Sequence, residues 1–278
     1  MGAMLIIPIV KVNFYLGRIP ETLGQTARMA AETADVHDEK QAWRDRTWAA
    51  MSEARVARFP GARGRIPNLT GAERAAELLA GTDAWRRAGA LKANPDLPQL
   101  PVRAGALADG KLVVMAVPRL RSADPFLLLD PDRIEVKPRK AASISGSEQH
   151  GRPLAVDDVP KLDLVVCGSV CVNAAGVRIG KGGGYSDLEM GLGVETGWID
   201  EDTVVATTVH PLQLVDADLP ETDHDFRLDL IVTPDEVVRC PGGRRPPGIL
   251  WDHLDDDKVE AIPALLSRRP GRRSGRSG

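Results

Sequence analysis

Residues 162–187 read LDLVVCGSVCVNAAGVRIGKGGGYSD, and this stretch decides the fold. Its first half, LDLVVCGSVCVN, is almost wholly apolar, as a central strand covered on both faces would be. Its second half passes Arg178, Gly180, Lys181 and three further glycines, then enters YSDLEMGLGVETGWI, which reads as a helix. The order is therefore strand, loop, glycine run, helix.

Working outward, TVVATTVH reads as a strand and RLDLIVTPDEVVRC as another. Upstream, GALKANPD, VRAGALADG and KLVVMAVPRL alternate short apolar runs with Gly, Pro and Asp turn signals, and strands are expected there. Two helices precede them. DEKQAWRDRTWAAMSEARVARF is led by acidic residues, and Ala42, Trp43, Thr47, Ala50 and Met51 recur near helical spacing until Pro60 and Gly61. In TGAERAAELLAGTDAWRRAG, Thr70 as N-cap and Glu73 three residues on fit a capping box. Interleaved helices and strands imply a three-layer α/β/α sandwich with a mainly parallel central sheet, spanning 38–266. Residues 1–37 show no sustained period and read as an extension of uncertain order. Residues 267–278 read as a basic, Gly- and Ser-rich flexible tail.

Composition narrows the function. Net charge is −3 over 278 residues, which gives no argument for a nucleic-acid or membrane partner from the surface as a whole. Aromatics are only 4%, which argues against a base-stacking platform. The arginine tail could touch RNA or acidic lipid, but a solvated tail is the simpler reading. Cys167, Cys171 and Cys240 are too few and too scattered for a disulfide framework, and no further ligands lie near enough for a zinc site. No stretch approaches the roughly 20 apolar residues of a membrane span. MLIIPIV is short, contains Pro8 and lacks a preceding basic segment, so it is not read as a signal peptide. A cytoplasmic protein is expected, acting on a small molecule as a monomer or homodimer.

The glycine run points to phosphate. Helix N-termini present free N–H groups, and glycines let an anion approach bare backbone. Arg178 and Lys181 add full positive charge to Gly180, Gly182, Gly183 and Gly184. The pattern is not G-x-x-x-x-G-K-[ST], because Gly182 stands where the hydroxyl would follow the lysine. Nor is it the dinucleotide fingerprint. Asp187 either stabilises the helix dipole or holds Mg²⁺ beside phosphate oxygens. Lys40 and Arg44, at i and i+4 on the first helix, share a face that would suit a common anion, although taken alone they read as solvated surface charge beside Asp38, Glu39 and Asp45. His210, at the end of a strand, and His224, in an acidic loop, read either as packing or as pocket residues.

The stretch from Leu162 to Asp187 resembles the 5-formyltetrahydrofolate cyclo-ligase family, in particular its synthetase domain-containing branch. The family pattern G-x-R-l-G-[RK]-G-G-G-Y-Y-D is matched by Gly176, Arg178, Gly180, Lys181, Gly182, Gly183, Gly184, Tyr185 and Asp187. Its K-x-x-x-R is matched by Lys40 and Arg44, and QLVDADLPETDHDFRLDLIVTP is similar to its downstream Gln, Pro, His-Asp and Thr pattern through Gln213, Pro220, His224, Asp225 and Thr233. The resemblance implies ATP and Mg²⁺ as cofactors and closure of 5-formyltetrahydrofolate to 5,10-methenyltetrahydrofolate. Lys40, Arg44, Arg178, Lys181 and Tyr185 with the four glycines would hold the nucleotide and stabilise transfer, and Asp187 would meet the metal. Gly168, Ser169, Ser186 and His210 would border the substrate.

The sequence also departs from the family. Ser186 replaces its second tyrosine, Cys167–Cys171 replaces P-G-x-x-F, and NPDLPQLPVR with Asp96, Gln99 and Arg103 stands in place of G-E-x-x-T. A relative acting on another amide or carboxylate, or binding nucleotide or folate without turnover, therefore stays open.

Overall fold

The structure, a computed structural model, describes the backbone of residues 21–271 and the side chains of 35–271. Eleven strands lie among these residues: β1 (Ala90–Ala93), β2 (Leu112–Ala116), β3 (Phe126–Leu129), β4 (Arg152–Leu154), β5 (Leu164–Cys167), β6 (Cys171–Asn173), β7 (Arg178–Ile179), β8 (Val204–Thr208), β9 (Leu214–Val215), β10 (Leu230–Val232) and β11 (Val237–Arg239). The main sheet runs β11-β10-β8-β5-β1-β2-β3-β4. Its five middle strands, β10-β8-β5-β1-β2, are parallel, and antiparallel pairs close both ends. The alternation of side chains along β5 serves two cores. Leu164 and Val166 face one side of the sheet, and Val165 and Cys167 the other. This is the mainly parallel three-layer architecture expected from the sequence.

The helices are α1 (Glu21–Glu53), α2 (Ala72–Ala80), α3 (Asp83–Arg87), α4 (Leu100–Ala108), α5 (Pro138–Ala141), α6 (Ile144–His150), α7 (Tyr185–Thr196), α8 (Asp256–Glu260) and α9 (Pro263–Leu266). Residues of α2 to α5 pack on one face, including Leu79, Trp85, Val102 and Ala141. Residues of α7 to α9 pack on the other, including Leu188, Leu192, Val259 and Leu265. A small sheet, β7-β6-β9, carries the chain from β5 to the glycine loop; α1 lies against it through Trp43, while Trp48 and Met51 pack on Ala62, Ile66, Leu69 and Val170.

Several local expectations change. LDLVVCGSVCVN is not one central strand: the chain breaks after Cys167, so that β5 lies in the main sheet and β6 in the small one. VRAGALADG is helical, not extended, because Val102 and Ala106 lie one turn apart and both bury completely against the sheet. Alanine also favours the helix, and each buried large aliphatic contributes about 1.5–3 kcal/mol. The segment TGAERAAELLAGTDAWRRAG breaks into α2 and α3 at Gly81–Thr82. Left-handed Gly71, not Thr70, precedes α2, and no side chain caps it. Glu73 is drawn instead to Arg58, 3.0 Å away. The true side-chain cap is Thr82, which accepts from the Trp85 amide. Finally, α1 begins at Glu21, so the helix extends into the segment read as an extension, and it ends at Glu53, before Pro60. Residues 1–20 and 272–278, which hold the rest of that extension and most of the basic tail, lie outside the described residues. No described helix is long and apolar enough to cross a membrane.

Candidate functional site: a cationic cleft at the glycine loop

A cleft of about 860 Å³ opens at the carboxyl ends of the parallel strands. Asn94 to Leu97 after β1 and Ala116 to Arg119 at the end of β2 form one wall, and the loop from Gly180 into α7 forms the other. Strand order reverses between β1 and β5. Chain order runs outward from β1 to β2 on one side and from β5 to β8 and β10 on the other. Ligands gather at such a switch point because two neighbouring loops leave in opposite directions and open a crevice.

The glycine loop is held from below by cations. Arg44 is buried, and its Nε donates to the Gly180 carbonyl at 2.7 Å. Burial pulls its pKa down, against the attraction of Asp225. Arg178 is also buried. Its Nε donates to Gly168 O at 3.2 Å, its Nη1 reaches Asp187 Oδ1 at 3.4 Å, and its guanidinium stacks 4.6 Å above the Phe226 ring. Lys181 is half-exposed, with Nζ 3.3 Å from Asp96 Oδ1. Gly182 and Gly184 take left-handed φ values of 96° and 69°, and Gly184 is the residue from which α7 starts. Open space lies where a Gly184 side chain would stand. The loop thus turns bare backbone and a helix N-terminus toward the cleft.

Two carboxylates balance this charge. Lys40 donates to Asp225, and both side chains are only 9% exposed. Burial alone would raise the Asp225 pKa, but Lys40 and the Thr222 amide and hydroxyl hold it below its usual range. Asp187 goes the other way: burial pushes its pKa up, and nearby Arg178 only partly offsets this. No three His, Cys, Asp or Glu residues gather into a metal cage among the described residues. Part-buried Asp187, beside an anion cradle, suits magnesium, which keeps waters and takes one or two carboxylates plus phosphate oxygens. The donor set therefore fits a magnesium–nucleotide complex, with Asp187 as the residue that would hold the metal.

Of the residues singled out from sequence, Lys40, Arg44, Arg178, Gly180, Lys181, Gly182, Gly183, Gly184, Tyr185, Ser186 and Asp187 all line this one cleft. Three do not. His210 lies outside it: its Nδ1 accepts from the Leu212 amide at 3.2 Å and caps the turn Pro211–Gln213. Ser169 is buried behind the cleft, with its hydroxyl 2.9 Å from that of Thr207. Gly168 sits against Ile66 and Asp96 and contributes its carbonyl to Arg178 rather than a surface to the cleft. His224 does border the cleft.

Sequence reasoning missed Lys258. Its Nζ donates to Gly183 O at 2.7 Å and lies 4.2 Å from the Tyr185 ring centroid. The acidic run before it gave no sign of this. It also missed Lys92, Asn94 and Glu189 at the floor. Only their polarity within an otherwise apolar strand and helix face could have drawn attention. Arg103, buried in α4, braces this wall by donating to the carbonyls of Asn94, Asp96 (3.1 Å) and Ala142 (3.0 Å), and burial pulls its pKa down to about 10.

Residues 36–234, most of the chain and the whole glycine-loop cleft, match the 5-formyltetrahydrofolate cyclo-ligase family. The chain belongs to that family. Among curated relatives, the methenyltetrahydrofolate synthase domain-containing protein of Bos taurus is 38% identical over 237 residues, covering 83% of this chain and 62% of the relative. The Homo sapiens protein of the same name is 36% identical, covering 83% of this chain and 61% of its own length. The chain thus spans about three fifths of the curated relatives it matches. A solved structure, the Aquifex aeolicus 5,10-methenyltetrahydrofolate synthetase, aligns with a TM-score of 0.48 at 16% identity, over 74% of this chain and 94% of that one.

Proposed function

We propose that this protein is an ATP- and magnesium-dependent cyclo-ligase that converts 5-formyltetrahydrofolate to 5,10-methenyltetrahydrofolate. The observation that carries the reading is the convergence of Lys40, Arg44, Arg178, Lys181 and Lys258 on one glycine loop at the N-terminus of α7. Membership of the cyclo-ligase family supports it.

The nucleotide with its magnesium would supply the phosphoryl group that turns the formyl oxygen into a leaving group, so that the folate N10 bonds to the formyl carbon and the oxygen departs as inorganic phosphate. The chain's own residues account for the rest. Phosphoryl transfer demands positioning and fixed positive charge rather than a protein nucleophile. Arg44 fixes the carbonyl of Gly180, so the loop keeps its shape before ligand arrives. Arg178, boxed between Gly168, Asp187 and Phe226, is a preorganised charge that needs no reorientation during reaction. Lys181 is exposed enough to move from Asp96 to an incoming phosphate. Lys40, held in place by Asp225, stands at the cleft wall with a strongly buried ammonium, where low dielectric strengthens its action on developing negative charge. The Tyr185 ring packs beside Lys258, 4.2 Å from its Nζ, and would stand where the nucleotide meets the substrate.

The test is turnover. Purified protein, Mg-ATP and 5-formyltetrahydrofolate are mixed, and the near-UV absorbance of the methenyl product is followed alongside phosphate release. The wild type is expected to form product, and Lys181→Ala is expected to lose it. Absence of product from wild type that still binds Mg-ATP would refute the proposed reaction.

A further inference from the structure

Two histidines from distant parts of the chain meet at the rim of the cleft. His224 lies in the loop between β9 and β10, and His253 in the turn Trp251–His253, beyond the residues that match the cyclo-ligase family. Their Nδ1 atoms are 3.4 Å apart, and the two rings stand nearly perpendicular, at 84°. Both can be reached from solvent, since His224 is half-buried and His253 is exposed.

The far side of His224 fixes which of its nitrogens is free. The Thr222 hydroxyl donates its one proton to Asp225 Oδ2 at 2.8 Å, and Lys40 holds that carboxylate in place. The Thr222 oxygen therefore accepts from His224 Nε2, 3.0 Å away. In the neutral ring the proton sits on Nε2, and the Nδ1 lone pair is turned toward His253. A hydrogen-bonded chain of this kind behind an imidazole is what orients histidines that bind metals. The spacing points the same way. A separation of 3.4 Å is long for a hydrogen bond. Two imidazole nitrogens on a tetrahedral zinc ion, each at about 2.0–2.1 Å, lie about 3.3–3.4 Å apart. The local field also suits a cation. Asp223 and Asp225 are paired with Arg244 and Lys40, but Asp252, Asp255 and Asp257 around His253 form no ion pair among the described residues.

We propose that His224 and His253, through their Nδ1 atoms, bind a divalent transition-metal ion of the zinc type. No third His, Cys, Asp or Glu joins them in a cage among the described residues, so water completes the coordination. The site differs in chemistry from the magnesium position at Asp187, because imidazole suits zinc, nickel or copper while magnesium takes oxygen. Thr222 is a positioning residue that acts through His224. The ion ties the loop 222–225 to the segment that runs on into α8, where Lys258 donates to Gly183 O at 2.7 Å. It thereby steadies a contact to the glycine loop from outside the cleft.

Calorimetry with zinc chloride on the untagged full-length protein tests this without turnover, in excess magnesium to occupy oxygen sites. Wild type is expected to bind one zinc ion per chain, and His253→Ala to show no such binding. His253 is exposed, so its replacement leaves the fold intact, which a thermal melt checks. Thr222→Val is expected to weaken zinc about tenfold to a hundredfold, the usual worth of a group that orients a ligand from behind. Thr222→Ser keeps the hydroxyl and is expected to restore the affinity. Hydrogen exchange reads the tie to α8: zinc should slow exchange across 249–260 in wild type and leave His253→Ala unaffected. Zinc binding that is absent from wild type, or undiminished in His253→Ala, would overturn the site. Equal affinity in Thr222→Val and wild type would overturn the role of Thr222, and zinc binding without slower exchange would overturn the tie.

Discussion

Replacing the loop glycines by alanine one at a time should weaken Mg-ATP binding in a set order, and the reason differs at each position. At Gly184 the backbone φ is 69°, and an added Cβ would meet nothing within 4 Å. The cost is the left-handed conformation alone, at about 1 kcal/mol, or roughly fivefold in the population of the binding shape. At Gly182 φ is 96°, and the Cβ would come 3.4 Å from Arg44 Cζ. Arg44 is already fixed to Gly180 O, so it yields poorly. The combined cost is about 2 kcal/mol, or roughly thirtyfold. At Gly180 the backbone is unstrained, but the Cβ would come 2.9 Å from Arg178 Nη2. A long side chain would ordinarily swing away. This one is buried and tied to Gly168 and Asp187, so moving it breaks at least one charged hydrogen bond. That costs about 2–3 kcal/mol, roughly thirty- to one-hundred-and-fiftyfold. Isothermal calorimetry gives the dissociation constants, and thermal melts confirm that each variant is folded. An order other than Gly184, Gly182, Gly180, from mildest to most severe, would refute the claim that the arginines define the shape of the loop.

Three further outcomes follow from the same geometry. Asp225→Asn leaves the buried Lys40 ammonium uncompensated and should cost about 3–5 kcal/mol in urea unfolding near neutral pH. The Asp225 pKa is depressed, so the stability it gives is present above the ordinary carboxylate value of about 3.9 and is lost as pH falls through its lower folded value. Wild type and variant should therefore converge only in acid. Lys258→Ala should raise the Mg-ATP dissociation constant about fivefold, the discounted value of a part-exposed charged contact to Gly183 O, with little change in melting temperature. An unchanged constant would remove Lys258 from the site. His210→Ala removes a turn cap and should lower unfolding free energy by about 1 kcal/mol with the same KM for substrate. A raised KM would return His210 to the substrate.

The strand–glycine–helix segment was legible in the sequence because its determinants are local. An apolar run long enough for β5, glycines that permit left-handed φ, and the cations Arg178 and Lys181 all lie within one short stretch. The parallel sheet followed from the alternation of strands with helices around it. VRAGALADG misled for the same reason: in so short a segment of small residues, two-residue and helical spacing of apolar positions look alike, and only the sheet against which Val102 and Ala106 pack chooses between them. Partners distant in the chain were beyond any such reading. Asp225 stood out only as a match to the family pattern, with no role, until the fold brought it to Lys40, 185 residues away. Lys258 acquired its contact with Gly183 across 75 residues, and Lys92 met Glu189 only because α7 lies over β1. The sequence by itself determined which backbone could cradle an anion, since that depends on residue type and neighbouring spacing. Tertiary structure alone decided which charges are buried, which are paired and which remain open to a ligand, because desolvation and long-range pairing are set by what packs around a side chain.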